Sequence, residues 1–587
     1  MNENPKTDYY SPPYYNEAGM LCYIPTGRED GLPIPLCTFA PRIVKELIVD
    51  DGEKTVRHYL IGGTDPDGEE IEPVNVPAND LEKMHWIADN LDASCDLCIV
   101  PQVEKHVRYA IKSTARYAEK QYIFSHTGWK KIQGEWHFLM PEYDKECFVE
   151  LKGKQRNYRI SGEATDEDIR KVASMLDNGI MPDEILLPCL ALVFLSPLNE
   201  FLRSVGYEPK FLLTLIGRTG SMKSTVAALM LSFFGGFSAT DLPMSFRDTA
   251  NSIIHNAFAL KDVLTCVDDY HPTAKTDAGK MQATMQILAR GYGDRAARNR
   301  LNSDITLREP KPPQGNVIVT AEFAPDIGES GTARLFCIEM KPGTIDLPLL
   351  TEAQENARDG CFTRCMGRYL RYLQETFLSS GKEEMLRDLF AEHFPKFREG
   401  WRDDLKEKNI PFHNRLPDTL AWLELGFTNF TRFLFKMTVI GEDTMKELWV
   451  RMQAVLMNLA AKQSESVEAD RPTHIFLRKL YSLIKCGKVY LVPMNDTAAT
   501  TPKNYIGYED DNYYYLMLDV SHKVVKQLCG EQDEGFAISA KSLAKALADE
   551  GLIEVKNGVN THPVRFGGKQ KRVMMLNKEK ANKVVSG

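Results

Sequence analysis

Apolar and polar residues alternate along Val56-Arg-His-Tyr-Leu-Ile61, and that period of two predicts a strand. The Gly- and Asp-rich stretch Gly62–Gly68 reads as the turn that follows. Over 102–120 the apolar positions are Val103, Val107, Ala110, Ile111 and Ala118, the spacing of a helix face. Gly128 to Met140 reads as a hairpin turning at Gln133-Gly134. The run Ile185–Leu195 is apolar throughout but interrupted by Pro188, so it predicts a buried helix rather than a membrane span. Helical and strand patterns alternate over 165–345, an α/β signature. Helical periodicity dominates 350–470, as in Cys361 through Phe377 and Thr419 through Leu456. A strand pair is predicted near 489–492 and 513–516. Ser539 to Gly551 is a helix closed by glycine. Strands at 552–555 and 572–576 then flank a basic loop, 557–570. Helix, strand, long basic loop and strand outline a winged helix. The boundaries that follow are 1–150, 151–345, 346–470 and 471–587.

Charge changes this picture in one respect. The net charge is −9. Residues 50–92 alone hold twelve acidic against three basic side chains, so the rest of the chain sums to zero. Residues 541–583 hold ten basic against four acidic. The overall acidity therefore does not exclude a nucleic-acid partner. The first fifteen residues lack a basic-then-apolar leader pattern, and the twelve cysteines form no framework. The expectation is a cytoplasmic chain without a membrane partner.

The chemistry concentrates in Phe211–Leu231. An apolar run of strand length leads into Gly217-Arg218-Thr219-Gly220-Ser221-Met222-Lys223-Ser224-Thr225 and then into a helix. This is the context of a phosphate-binding loop, in which backbone N–H groups surround phosphates at a helix N-terminus. Lys223 is placed to reach the phosphates of ATP, and the Ser224 hydroxyl to ligate Mg²⁺. Met222 occupies the position of the usual second glycine, which is tolerable if its φ is negative. The strand Val263–Val267 ends in Asp268-Asp269. Asp268 is expected to hold Mg²⁺, and Asp269 to polarise the attacking water, although glutamate is the usual residue there. A third strand, Asn316–Glu322, offers Thr320 and Glu322 to the γ-phosphate or the water, with Glu322 preferred. Arg334 lies where ring ATPases place an arginine facing a neighbour's γ-phosphate.

Residues 290–311 carry six basic and three acidic side chains. Segments 296–301 and 305–308 can pair as a hairpin across Asn302-Ser303-Asp304, placing Arg298, Asn299 and Arg300 to grip DNA phosphates. The alternative is a solvated surface hairpin. Lys569 and Lys571 are the corresponding DNA candidates of the C-terminal basic loop. Two cysteine pairs, Cys95/Cys98 and Cys361/Cys365, lie far apart and read as buried or idle thiols rather than metal ligands. Asp65/Asp67 reads as a turn rather than a metal pair.

The motifs GRTGSMKST, FRDTANSI, CVDDYHP, VIVTAEFAP and SGTARLF, with HTGW at 126–129, resemble the MCM-like AAA+ replicative helicases of staphylococcal cassette chromosomes and related mobile elements. The resemblance implies an α/β P-loop AAA+ ATPase core. Around it stand a mixed α+β N-terminal domain, a helical region and a C-terminal winged-helix domain. It implies a homo-hexameric ring that uses ATP and Mg²⁺ to translocate on single-stranded DNA and open forked duplex, with element-encoded replication proteins as further partners. Met222 and Asp269 depart from the common pattern. Two other classes stay open: an ATP-switched winged-helix regulator, and a viral-type helicase–primase or origin initiator.

Overall fold

The structure, a computed structural model, describes residues 9–25, 32–272, 275–297, 300–301, 307–308, 310–379, 382–469, 471–494, 503–532, 536, 538–556, 558–566 and 569–586. Two compact units emerge, Met1–Glu163 with Ala259–Lys261, and Ala164–Phe258 with Asp262–Gly587.

In the first unit, β1 (Tyr14–Glu17), β2 (Met20–Tyr23) and β3 (Ile34–Cys37) form a three-stranded antiparallel sheet. β4 (Ala40–Asp50), β5 (Thr55–Thr64), β6 (Glu70–Pro77), β7 (Glu119–Phe124) and β10 (Phe148–Val149) form a second sheet in the order β10-β7-β4-β5-β6. β8 (Gly128–Ile132) and β9 (Glu135–Leu139) are the predicted hairpin, turning at Gln133 and Gly134 with φ of 52° and 97°. The helix Val103–Ser113 buries Val107, Ala110 and Ile111. The strand expected to stop at Ile61 runs on to Thr64. Gly62 and Gly63 read as a turn but pair with Arg42 and Pro41. A Cβ on Gly63 would sit 2.1 Å from Ala40 O, so the glycine marks a close strand approach. The turn is shorter: Asp65 Oδ1 accepts from the N–H groups of Asp67 and Glu69, as the turn reading of this pair requires.

The second unit is built on an all-parallel sheet. Its strands are β11 (Leu212–Ile216), β12 (Met244–Ser245), β13 (Leu264–Tyr270), β16 (Asn316–Ala321) and β17 (Leu335–Glu339). Their order is β12-β13-β16-β11-β17. A short antiparallel pair, β14 (Arg300–Leu301) and β15 (Leu307–Arg308), lies in the basic insert. The apolar helix Asp183–Leu195 is a core helix: every residue from Ile185 to Leu195 is buried. The helix Leu416–Lys436 passes so close that a Cβ on Gly426 would meet Ala191 O at 2.2 Å. The helical periodicity from Thr419 to Leu456 is carried by two helices, Leu416–Lys436 and Glu442–Ala469. Thr438 at φ 57° and Gly441 break the path, though the apolar period continues across the break.

The C-terminal sheet of this unit has β18 (Tyr490–Pro493), β19 (Tyr505–Glu509), β20 (Tyr513–Leu516), β21 (His562–Phe566) and β22 (Lys569–Asn577), ordered β18-β19-β20-β22-β21. The predicted pair near 489–492 and 513–516 is separated by β19. The segment expected as a basic loop contains β21, and its partner β22 begins at Lys569 rather than Arg572. Leu552–Val555 contributes only an isolated bridge, Ile553 to Leu576. His562 and Phe566 are buried at either end of β21 while Pro563 and Arg565 are exposed, a weak alternation that the Lys/Arg content obscures. The helix Ala540–Asp549, capped by Ser539, packs Leu543 and Leu547 into the C-terminal core with Phe476, Val525 and Met574.

Candidate nucleotide site

β11 and the helix Lys223–Leu231 are joined by the glycine-containing loop. Gly217 is required there: a Cβ would lie 2.3 Å from Met340 O and 2.6 Å from Ser221 Oγ. Gly220 adopts φ 87°, open to glycine with little strain. Met222, at the helix N-cap, has φ 64° and ψ 22°. The expectation of a negative φ is thus corrected. This position is left-handed, which is why glycine suits it, and Met222 holds it at a conformational cost. The first intrahelical bond runs from Val226 N–H to Met222 O, so the N–H groups of the first turn precede the ladder.

Lys223 Nζ donates to Gly217 O at 2.6 Å and Arg218 O at 3.3 Å. Burial lowers its pKa, and Glu322, Asp268 and Asp269 oppose that shift. Beside it, Ser224 Oγ donates to Asp268 Oδ1 at 2.8 Å and Thr320 Oγ1 donates to the same oxygen at 2.6 Å. Thr320 Oγ1 in turn accepts from Asp269 N–H at 2.9 Å. The sheet makes this meeting possible. β16 lies between β11 and β13, so Thr320, paired with Leu215, bridges the loop strand and the carboxylate strand.

Asp268 and Asp269 diverge because the ladder slips between Val267 and Tyr270. Asp269 takes φ 70°, a left-handed conformation that aspartate enters more readily than most residues. Its carboxylate faces Arg247 Nη2 at 3.2 Å. Glu322, just past β16, accepts a short hydrogen bond from the Thr219 hydroxyl. His271 Nδ1 lies 2.5 Å from Glu322 Oε2. Glu322 therefore touches the loop, while Thr320 holds Asp268. Both candidates of the third strand are in the site, in different roles.

The oxygen set of Ser224 and Asp268 is the donor chemistry of a hard cation such as Mg²⁺. Ser221 Oγ is buried without a hydrogen-bond partner at the same loop. Space around Gly220 is open, with no heavy atom within 4 Å of a built Cβ. Phosphate oxygens and a divalent cation fit these residues.

Arg334 lies away from this cluster. Its side chain is 14% exposed and its guanidinium pairs with Asp294 through both Nη2 and Nε, at 2.9 to 3.1 Å. Nη1 donates to Ser330 Oγ at 2.8 Å. Gly293 lets it cross, since a Cβ there would meet the Arg334 side chain at 2.5 Å. Arg415 completes the group, donating to Asp294 Oδ1 at 2.8 Å and Gly293 O at 2.7 Å. In this conformation Arg334 is held within its own chain and does not reach outward.

Of the basic insert, Arg298 and Asn299 lie outside the described residues, as do Asn302-Ser303-Asp304. Arg300 pairs with Arg308, and Leu301 with Leu307, so a hairpin ladder is present at its base. Lys569 begins β22. Lys571 Nζ is bound by the Tyr505 and Tyr508 hydroxyls and lies 4.7 Å from the centre of the Tyr505 ring. All four cysteines of the two weighed pairs are free thiols.

Four site residues escaped the sequence reading: Arg247, His271, Asp294 and Arg415. Arg247 and His271 sit inside FRDTANSI and CVDDYHP, so the motif neighbourhood held a signal. Asp294 and Arg415 lie 121 positions apart, and no local pattern joins them.

Residues 15–304 match the model of a family described as a domain of unknown function, DUF927. A comparison with curated proteins finds no match. Among solved structures, one titled "SCCmec type IV Cch - active helicase" superposes with a TM-score of 0.58 at 13% identity, covering 98% of this chain and 99% of that one. A JCV helicase with a bound small molecule covers 44% of this chain and 73% of its own at a TM-score of 0.20 and 13% identity, too low to carry an argument. The resemblance read from the motifs is therefore met by a shared fold: from end to end, this chain is folded like the cassette-chromosome helicase.

Proposed function

We propose that this chain is an ATP-driven DNA helicase with an AAA+ core, acting as a hexameric ring on single-stranded DNA in the replication of a mobile element or prophage. The observation that carries the reading is the Ser224–Asp268–Thr320 network beside Lys223, at the C-terminal edge of a parallel sheet. Such edges are where ligands bind open α/β sheets. The third strand lying between the loop strand and the carboxylate strand supports the AAA+ assignment. The fold shared with a helicase supports the motor.

In this reading Gly217–Thr225 wraps the phosphates and Lys223 reaches the β- and γ-phosphates. Ser224 and Asp268 would hold Mg²⁺, which supplies charge neutralisation on the phosphates. Asp269 orients the attacking water and Glu322 registers the γ-phosphate. Arg298, Asn299 and Arg300 grip single-stranded DNA. The C-terminal helix and its β21–β22 hairpin act as a winged helix, with Lys569 and Lys571 as its candidate duplex contacts. The test is ATP turnover with and without single-stranded DNA, together with particle images in nucleotide. Stimulation and rings are expected; a rate indifferent to DNA, with no rings, would overturn the motor.

One observation favours the ATP-switched regulator. Arg334 is bound by Asp294 and Ser330 inside its own chain. A motor that uses Arg334 across an interface must first break that pair. Mixing Arg334→Ala with Lys223→Ala protein decides. Recovered hydrolysis in verified mixed rings supports a role in trans, and no recovery supports a role within one subunit.

A further inference from the structure

In the first unit, His137, Asp144 and Cys147 converge so that one ligand atom from each lies within 4.8 Å of the others. His137 Nδ1 is 2.7 Å from Asp144 Oδ2. Cys147 is buried, and the other two side chains retain 12% and 21% exposure. The backbone builds this meeting. β9 holds His137. The chain then doubles back through Tyr143 N–H to Met140 O and Cys147 N–H to Asp144 O, at 3.2 and 3.3 Å. β10 then pairs with β7. Asp144 Oδ1 accepts from Glu146 N–H at 2.9 Å, which fixes the carboxylate and turns Oδ2 to His137.

The local core is small. Phe124, Leu139 and Cys147 are its buried members, with Ile132 and Val149 against them. The β8–β9 sheet has only two strands, an arrangement that is marginal without added support. The Cys147 thiol packs into this core and reaches the same Asp144 carboxylate as His137.

We propose that His137, Asp144 and Cys147 form a divalent transition-metal site that clamps the returning segment 140–147 to the β8–β9 hairpin. One imidazole, one carboxylate and one thiolate match the borderline softness of Zn²⁺, with water as the fourth ligand. Ligand atoms around a tetrahedral zinc are roughly 3 to 4 Å apart, so the observed cluster needs only small side-chain adjustments. The site has no sequence signature of the paired-cysteine kind, because its single cysteine joins a histidine and an aspartate. It is independent of the helicase reading.

The test uses the full-length protein, freed of metal with a chelator and titrated with Co²⁺. Expected are one bound Co²⁺ with a sulfur-to-cobalt charge-transfer band, and displacement of that Co²⁺ by Zn²⁺. Cys147→Ser should remove the band, and His137→Gln should weaken binding by about tenfold or more. The double change Cys95→Ser with Cys98→Ser should keep both. A readout on unaltered protein guards against misfolded variants: Zn²⁺ should slow proteolytic cleavage within 140–147. No bound Co²⁺, a band that survives Cys147→Ser, or cleavage indifferent to Zn²⁺ would each overturn the site.

Discussion

The two sheets of the second unit solve different problems. The parallel sheet is buried on both faces: every residue of β16 is buried, as are Leu212 to Leu215 of β11. Its polar groups gather at one edge, where Ser224, Thr320 and Asp268 share hydrogen bonds. The C-terminal sheet buries one face against helices. On its other side Tyr508 stacks on Phe566 at 3.6 Å, and Lys571 sits among the tyrosine hydroxyls. The first sheet is a scaffold for one site. The second carries stacked aromatic rings and a lysine held by tyrosine hydroxyls. Damage to each sheet should read out separately.

The sharpest break is Lys223→Ala. Among the described residues of the loop and the two carboxylate-bearing strands it is the one lysine. ATP hydrolysis should fall by about a hundredfold or more, with folding unchanged, since loss of one preorganised charge costs that much. Normal turnover in this variant would remove the site from the parallel sheet.

Next comes the corresponding break in the other sheet. A Cβ on Gly507 would lie 2.1 Å from Tyr515 O in the β19–β20 ladder. Gly507→Ala should destabilise the C-terminal sheet by about 3 kcal/mol, the upper range for overpacking. A calorimetric scan should show that loss while basal ATP hydrolysis persists. If hydrolysis falls in parallel, the two sheets are one cooperative system and the comparison fails.

Asp294 yields a smaller effect. Burial alone would raise its pKa, but hydrogen bonds and charge from Arg334, then Arg415, lower it overall. A depressed native pKa means stability that is present above the unfolded value of about 3.9 and lost as pH falls through the native one. Asp294→Ala should cost about 2 kcal/mol at neutral pH by leaving two guanidinium groups without their carboxylate. It should also flatten the acid limb of the stability curve. A stability profile that keeps its acid limb in Asp294→Ala would place the titration elsewhere.

The smallest effect sharpens the reading of the loop. Met222→Gly removes a left-handed methionine, and the relieved strain is partly offset by a more flexible unfolded chain. The net gain should be about 1 kcal/mol or less, with hydrolysis retained. Destabilisation on thermal melting would mean that contacts of the Met222 side chain outweigh its φ of 64°.

The sequence alone determined those features whose physics is local. A continuous apolar strand, a glycine-containing loop and a good helix place Lys223 and Ser224 without any knowledge of neighbours. Carboxylates after a second apolar run identify Asp268 and Asp269. The Gln133-Gly134 turn followed from backbone freedom within two residues. Tertiary structure decided whatever depends on how close one backbone comes to another. Gly62 and Gly63 look like a turn until β4 is seen against them. Gly217 is required because the loop passes under Met340 O, and Met222 holds a positive φ, neither of which GRTGSMKST reveals by itself. Thr320 rather than Glu322 holds Asp268 because β16 inserts between β11 and β13, and sheet order is not written in any one strand. Arg334 and Arg415 both pair with Asp294, across 40 and 121 positions of chain. Hydrogen-bond and charge partners of that kind are fixed by geometry in three dimensions, where separation along the sequence carries no information.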